Sequence, residues 1–187
     1  MFKASLRAPL FGLLFAAVLG GCATPMPVAM APMYAARAME AGAPQTEAAF
    51  VAAVKADGVK LTSEQLAEIS AERHAHPNGE WAARPALNLS AEQNLDVHFH
   101  KHASQFHPSP ASAEAYLKQA IACANGERGT IHYYFDITSF TKGYQTHVVR
   151  WDPQSKEFCA VRTDGAMTTY YIDYGVKPNR FVEVPLF

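Results

Sequence analysis

Apolar and polar positions divide the chain into stretches of different character. Residues 8–19 form an apolar run, Ala8-Pro9-Leu10-Phe11-Gly12-Leu13-Leu14-Phe15-Ala16-Ala17-Val18-Leu19, behind Lys3 and Arg7. That is too short for a comfortable membrane span but suits the core of a signal peptide, which predicts a cleaved export segment over 1–21. From 22 to 45 the Ala, Pro and Met residues hold neither a helical nor a strand period and predict a tether. Thr46 can cap a helix through Lys55, stopped at Asp57-Gly58, and Thr62-Ser63-Glu64-Gln65 has the capping-box spacing for a second helix to about Glu72. These two make a short helical region over 46–89, with Trp81 to Leu89 as an irregular connection.

The main domain is expected over 90–187. Ser90-Ala91-Glu92-Gln93 repeats the capping-box spacing ahead of His98, His100 and His102. The alternation of Val97, Phe99 and Lys101 with those histidines also suits a strand, but the cap favours a helix, on which His98 and His102 lie one turn apart. Ser112 then caps a helix over Ala113 to Ala124 that buries Tyr116, Leu117, Ala120 and Ile121 and ends at Asn125-Gly126. After Gly129 the chain becomes rich in aromatic and β-branched residues. Four runs, Ile131 to Phe135, Gln145 to Trp151, Glu157 to Arg162 and Met167 to Ile172, have Asp152-Pro153 and Asp164-Gly165 as turn signals between later members. Helices first and strands afterwards predict an α+β fold, with helices against a meander of about four antiparallel strands.

Composition narrows the chemistry. The 187 residues carry 16 Lys+Arg against 17 Asp+Glu, and 49% are hydrophobic, which excludes a strongly basic nucleic-acid coat and disorder along the whole chain. There are three cysteines and no Cys-x-x-Cys pair, so neither a thiolate zinc ribbon nor a thioredoxin-type site is available. In an exported protein Cys123 and Cys159 can either form a disulfide or remain two buried thiols. The eight histidines are the notable reactive groups. His98-x-His100-x-His102 on a strand, completed by His107 or Asp96, could instead hold zinc. His74 and His76 read as solvated loop residues.

Leu19-Gly20-Gly21-Cys22 resembles the lipobox of bacterial lipoproteins. The resemblance implies acylation of Cys22, a membrane partner reached through that lipid, and a place in the bacterial cell envelope. Ala23 after the cysteine implies sorting to the outer membrane. Further along, His98-Phe99-His100-Lys101-His102-Ala103-Ser104-Gln105-Phe106 and Ser112-Ala113-Glu114-Ala115-Tyr116-Leu117-Lys118-Gln119-Ala120 resemble segments of polymorphic and contact-dependent toxin nuclease domains. Val149-Arg150-Trp151-Asp152, Phe158-Cys159-Ala160-Val161 and Asp164-Gly165-Ala166-Met167-Thr168-Thr169-Tyr170-Tyr171 resemble that family's hairpin and terminal strand.

The resemblance covers about residues 90 to 175 and implies the metal-independent ribonuclease fold of barnase, EndoU, colicin nucleases and RelE toxins. It implies RNA as substrate, an immunity protein as partner, no cofactor and no DNA. Cleavage without a metal requires a base for the ribose 2′-OH and donors for the charge developing on phosphate. His98 and His102 would serve as base and acid, Thr169 and Tyr171 as a hydroxyl pair, and Lys101 as a phosphate clamp. Arg150 could contact substrate, or belong to strand-end packing together with Trp151. Two features depart from the family: Tyr171 is followed by Ile172-Asp173 rather than by a basic residue and proline, and residues 91–187 hold nine Lys+Arg against ten Asp+Glu. The other function class the sequence allows is a non-enzymatic envelope lipoprotein that uses the same fold for binding.

Overall fold

The computed structural model describes residues 44–175 and 180–187. Cys22, the expected signal segment and nearly all of the expected tether lie outside them. The described residues form an α+β fold. Four helices start where a side chain caps them: α1 (Glu47–Ala56) at Thr46, α2 (Ser63–His74) at Thr62, α3 (Ala91–His102) at Ser90 and α4 (Ala113–Ala124) at Ser112. Both predicted capping boxes close reciprocally, with Gln65 returning to the Thr62 amide and Gln93 to the Ser90 amide. The histidine segment is therefore a helix, since the cap satisfies amides that a strand would have to pair elsewhere.

The sheet has five strands rather than about four. They are β1 (His132–Asp136), β2 (Val148–Trp151), β3 (Glu157–Val161), β4 (Met167–Ile172) and β5 (Phe181–Glu183), in the order β4-β3-β2-β1-β5, with every neighbour antiparallel. A short helix, α5 (Ile137–Thr141), follows β1 directly because Asp136 Oδ1 accepts the amides of Thr138 and Ser139 at 3.0 and 3.1 Å.

Register and the period-2 alternation sort the strand residues into two faces. Tyr133, Arg150, Cys159 and Tyr170 form one cross-strand row. On that face helices α3 and α4 pack with Trp81, Cys159, Met167 and Tyr170, and α1 and α2 contribute Phe50, Val54 and Ile69 to a second core with Phe135, Val148 and Val182. The Tyr116 hydroxyl donates to the carbonyl of Tyr170, tying α4 to β4. The opposite face carries Tyr134, Val149, Trp151, Phe158, Ala160 and Phe181 as a third cluster, with Tyr171 against it. Among the described residues no helix packs onto this cluster, and it forms the floor of a cleft.

Strand β4 is an edge, and the chain covers it. Met167 N–H donates to Glu80 O at 2.9 Å, Ala82 N–H to Met167 O at 2.8 Å, and Ile172 N–H to Gln105 Oε1 at 3.1 Å. That seating draws in the β3–β4 turn, where Gly165 has φ +90° and an added Cβ would lie 2.7 Å from His76 O. Only glycine combines that backbone conformation with so close an approach.

Cys123 on α4 and Cys159 on β3 are buried, with their Sγ atoms 2.8 Å apart as free thiols. The Cys159 contact and burial push the Cys123 thiol above its ordinary value. In an oxidising compartment the pair is expected to give two protons and two electrons to a disulfide oxidant and close a bridge across 36 positions. Such a bridge typically stabilises by roughly 2–4 kcal/mol. Thiol titration of the unfolded, unreduced protein recovered from an oxidising compartment checks this. No titratable thiol from the pair is the expected result, and two thiols per chain would contradict it.

Candidate active-site cleft

The open sheet face carries a cleft of about 450 Å³, within the range of ligand pockets. Its wall includes His98 of α3 together with Thr169 and Tyr171 of β4, so three of the four residues expected to act together do meet there. Two local features bring this about. Thr169 and Tyr171 alternate onto the cleft face opposite Ala160 and Phe158, and α3 runs beside the covered β4 edge.

His102 is one turn further along α3 and does not line the cleft. It is buried and stacked on Tyr171, with ring centroids 5.3 Å apart and planes 26° from parallel. His98 sits between it and Trp81, at centroid distances of 5.8 and 5.0 Å. The two histidines thus have different surroundings, and the base and acid pair expected from sequence is reduced to one imidazole with cleft access. His102 holds the Tyr171 ring from behind.

Both imidazoles are shifted towards their neutral form. Burial, with His102, Lys101 and Arg84 adding to it, lowers the His98 pKa to about 4. Burial and Lys101 also lower that of His102, against a Gln105 hydrogen bond that works the other way. Lys101 itself is exposed on α3 and outside the cleft wall, so it acts on the histidines through its charge.

Arg150 requires correction as a substrate contact. It belongs to the helix-covered face, is 3% exposed, and donates to the carbonyls of Ala124 (2.5 Å) and Ala75. Those are the terminal carbonyls of α4 and of the turn after α2, which a guanidinium neutralises well. Trp151, its neighbour, is likewise buried.

The three histidines of the sequence cluster do not converge on a metal. His100 is exposed, with its ring Nδ1 2.8 Å from Asp96 O. Among the described residues the one His/Asp/Glu group close enough to share an ion lies elsewhere, at Glu68, Glu72 and His147. Glu72 already has a structural task there: its Oε2 accepts the amides of His147 and Val148 at 2.7 and 2.6 Å, joining α2 to β2. Burial raises its pKa to about 7.

Several cleft residues carry no sequence motif. Asp136 and Arg180 form a paired wall, with Arg180 Nε 2.9 Å from Oδ1 and its terminal nitrogen 2.6 Å from Oδ2. Thr146 and Thr168 place their hydroxyls 3.0 Å apart. Arg84, Lys142 and Tyr144 add two cations and an aromatic ring. The Asp136-x-x-Ser139 spacing is a recognisable cap, but the partnership with Arg180, 44 positions away, leaves no local trace.

Desolvated imidazole, hydroxyls and cations in one open cleft can remove a proton from a bound hydroxyl while holding an anionic group. The rest of the lining combines the apolar Ala86, Val149, Phe158 and Ala160 with the polar Ser139 and Gln145. No protein-family profile, curated protein or solved structure matches this chain.

Proposed function

We propose that the protein is an exported envelope lipoprotein, anchored through Cys22, whose C-terminal domain is a metal-independent endoribonuclease of toxin type. The observation that carries the catalytic part is the meeting of His98, Thr169 and Tyr171 in one cleft with Arg84, Lys142 and Arg180 around them. The motif resemblance over residues 90 to 175 supports the same reading, as does the α+β fold.

In this mechanism RNA lies with a phosphate against the cations. Neutral His98 takes the ribose 2′-OH proton, the oxygen attacks phosphorus, and the bond to the 5′-oxygen breaks. The products are a 2′,3′-cyclic phosphate and a free 5′-hydroxyl, whose proton comes from solvent in the open cleft. Thr169 and Tyr171 hydrogen-bond the phosphate as charge develops on it. Burial raises the Tyr171 pKa, so its phenol remains a neutral donor. The anionic phosphate itself favours protonated His98 and offsets part of the burial effect, strengthening the base when substrate is bound.

A second reading, a non-enzymatic lipoprotein binding its ligand in this cleft, is favoured by one observation: His102 is buried behind Tyr171, so no second imidazole faces the reacting phosphate. Two assays separate the readings. The purified protein in excess chelator is expected to cut single-stranded RNA and leave DNA, which lacks the 2′-OH, intact; binding without cutting supports the second reading. For the anchor, Cys22→Ser is expected to move the protein from the membrane to the soluble fraction, and an unacylated mature wild-type chain by mass spectrometry would contradict it.

A further inference from the structure

The cleft mouth carries one group that the proposed mechanism does not use, Tyr144, beside two of its phosphate-holding cations, Arg84 and Lys142. Tyr144 is a large ring left 49% exposed at the cleft wall. Its backbone is fixed by hydrogen bonds. Helix α5 ends in a complete Schellman turn, in which Gly143 has φ +64° and donates its N–H to Phe140 O at 3.1 Å, while Tyr144 N–H reaches Ser139 O at 2.9 Å. Gln145 Nε2 donates to Ala83 O at 3.2 Å, fastening this turn to the segment that carries Arg84. Lys142, Tyr144 and Arg84 are thereby set around one opening.

Charge at the opening is unbalanced. Neither Arg84 nor Lys142 has a carboxylate partner among the described residues, whereas the cleft's one carboxylate, Asp136, is occupied by Arg180 and by the Ser139 hydroxyl at 2.6 Å. An exposed aromatic ring on a hydrogen-bonded turn, beside two cations without carboxylate partners among the described residues, is the arrangement that binds a flat base and its flanking phosphates.

We propose that the cleft mouth is a nucleobase subsite for single-stranded nucleic acid, with the base stacked on Tyr144 and the adjoining phosphates on Arg84 and Lys142. It deepens the nuclease reading by naming what holds the strand, and it makes recognition sequence-tolerant, because every base offers a π-face. Stacking contributes to holding substrate rather than to the proton transfer, so Tyr144 affects KM and leaves kcat nearly unchanged.

The test uses the full-length protein and a fluorescent 2′-O-methyl pentaribonucleotide, which cannot be cut, titrated by anisotropy. Tyr144→Ala is expected to weaken binding by about tenfold or more, within the range for loss of one stacked base, and Tyr144→Trp to restore it. Replacing Arg84 and Lys142 with Ala is expected to weaken binding and flatten its salt dependence by about 1.4 in log–log slope, at roughly 0.7 for each phosphate contact on a single strand. The proposal is overturned if the wild type does not bind the probe or if Tyr144→Ala binds within twofold of wild type. Equal binding of an abasic oligomer of the same charge also overturns it, by reducing the mouth to a plain anion groove. Tyr144-dependent binding without cleavage would sink the nuclease reading and leave the subsite standing, whereas cleavage with an unchanged KM in Tyr144→Ala would do the reverse.

Discussion

His98→Ala is expected to lower RNA cleavage by about 100-fold or more while the protein stays folded. General base catalysis typically contributes 10²–10⁴, and His98 is the one imidazole lining the cleft. The half-buried ring packs between Trp81 and His102, so its loss costs some packing, and circular dichroism should accompany the rate measurement. The pH profile adds a second readout. Because burial lowers the His98 pKa to about 4, kcat/KM, which reports the free enzyme, is expected to hold its neutral plateau down to about pH 5 and fall only below it. A limb near the ordinary histidine value of 6.5 would show that another group, or a solvated His98, is the base. His102→Ala is expected to act more weakly, through the Tyr171 ring it supports.

The largest expected stability effect is at Asp136. Its side chain caps α5, holds Ser139 and accepts from both Nε and a terminal nitrogen of the Arg180 guanidinium, while being 1% exposed. Asp136→Ala removes all of these at once. Removing one partner of a buried pair costs about 3–5 kcal/mol, and since Arg180 remains a third exposed and can be partly solvated, about 3 kcal/mol is expected here. For a domain of this size that is a fall in Tm of roughly 10 °C, and a shift within 2 °C of wild type would contradict the account.

The acid dependence has a definite sign. Burial alone would raise the Asp136 pKa, but the hydrogen bonds from Arg180 and Ser139 outweigh it and hold the group below its ordinary 3.8. Its stabilisation is therefore present above 3.8 and is lost as pH falls through the lower folded value. His98 acts in the same direction, withdrawing stability as pH falls from 6.5 towards about 4. Glu72 acts oppositely: with its pKa raised to about 7, its contribution is greatest below 4.5 and is lost as pH rises through 7.

Local chemistry made the helices legible. Thr46, Thr62, Ser90 and Ser112 each act on an amide three residues away, a distance that the sequence displays directly. Strand β4 was equally readable over its full length, from Met167 to Ile172. Strand β5 was not, because Phe181–Glu183 is three residues long and owes its existence to pairing with Tyr134 and Phe135 almost fifty positions earlier. Helix α5 was missed for a related reason: Ile137 and Thr138 are β-branched residues that continue the strand pattern, and the cap that turns the chain is itself the last strand residue.

For the site, a one-turn spacing placed His98 and His102 on the same side of a helix but could not say how far each would be covered. Tyr171, from a different element, decides that by stacking on His102 alone. Likewise the sequence left Arg150 between substrate contact and strand-end packing, and the carbonyls of α2 and α4 that close over it decide for packing. Arg84 and Tyr144 come from connections, where no period exists to mark them.

The central claim is that this cleft cuts RNA through the ribose 2′-OH without a metal. It is tested most directly by incubating the purified protein with a defined single-stranded RNA in excess chelator and weighing the fragments by mass spectrometry. The account predicts 5′ fragments ending in 2′,3′-cyclic phosphate, absent with His98→Ala. Intact RNA, or cleavage that chelator abolishes, would contradict it.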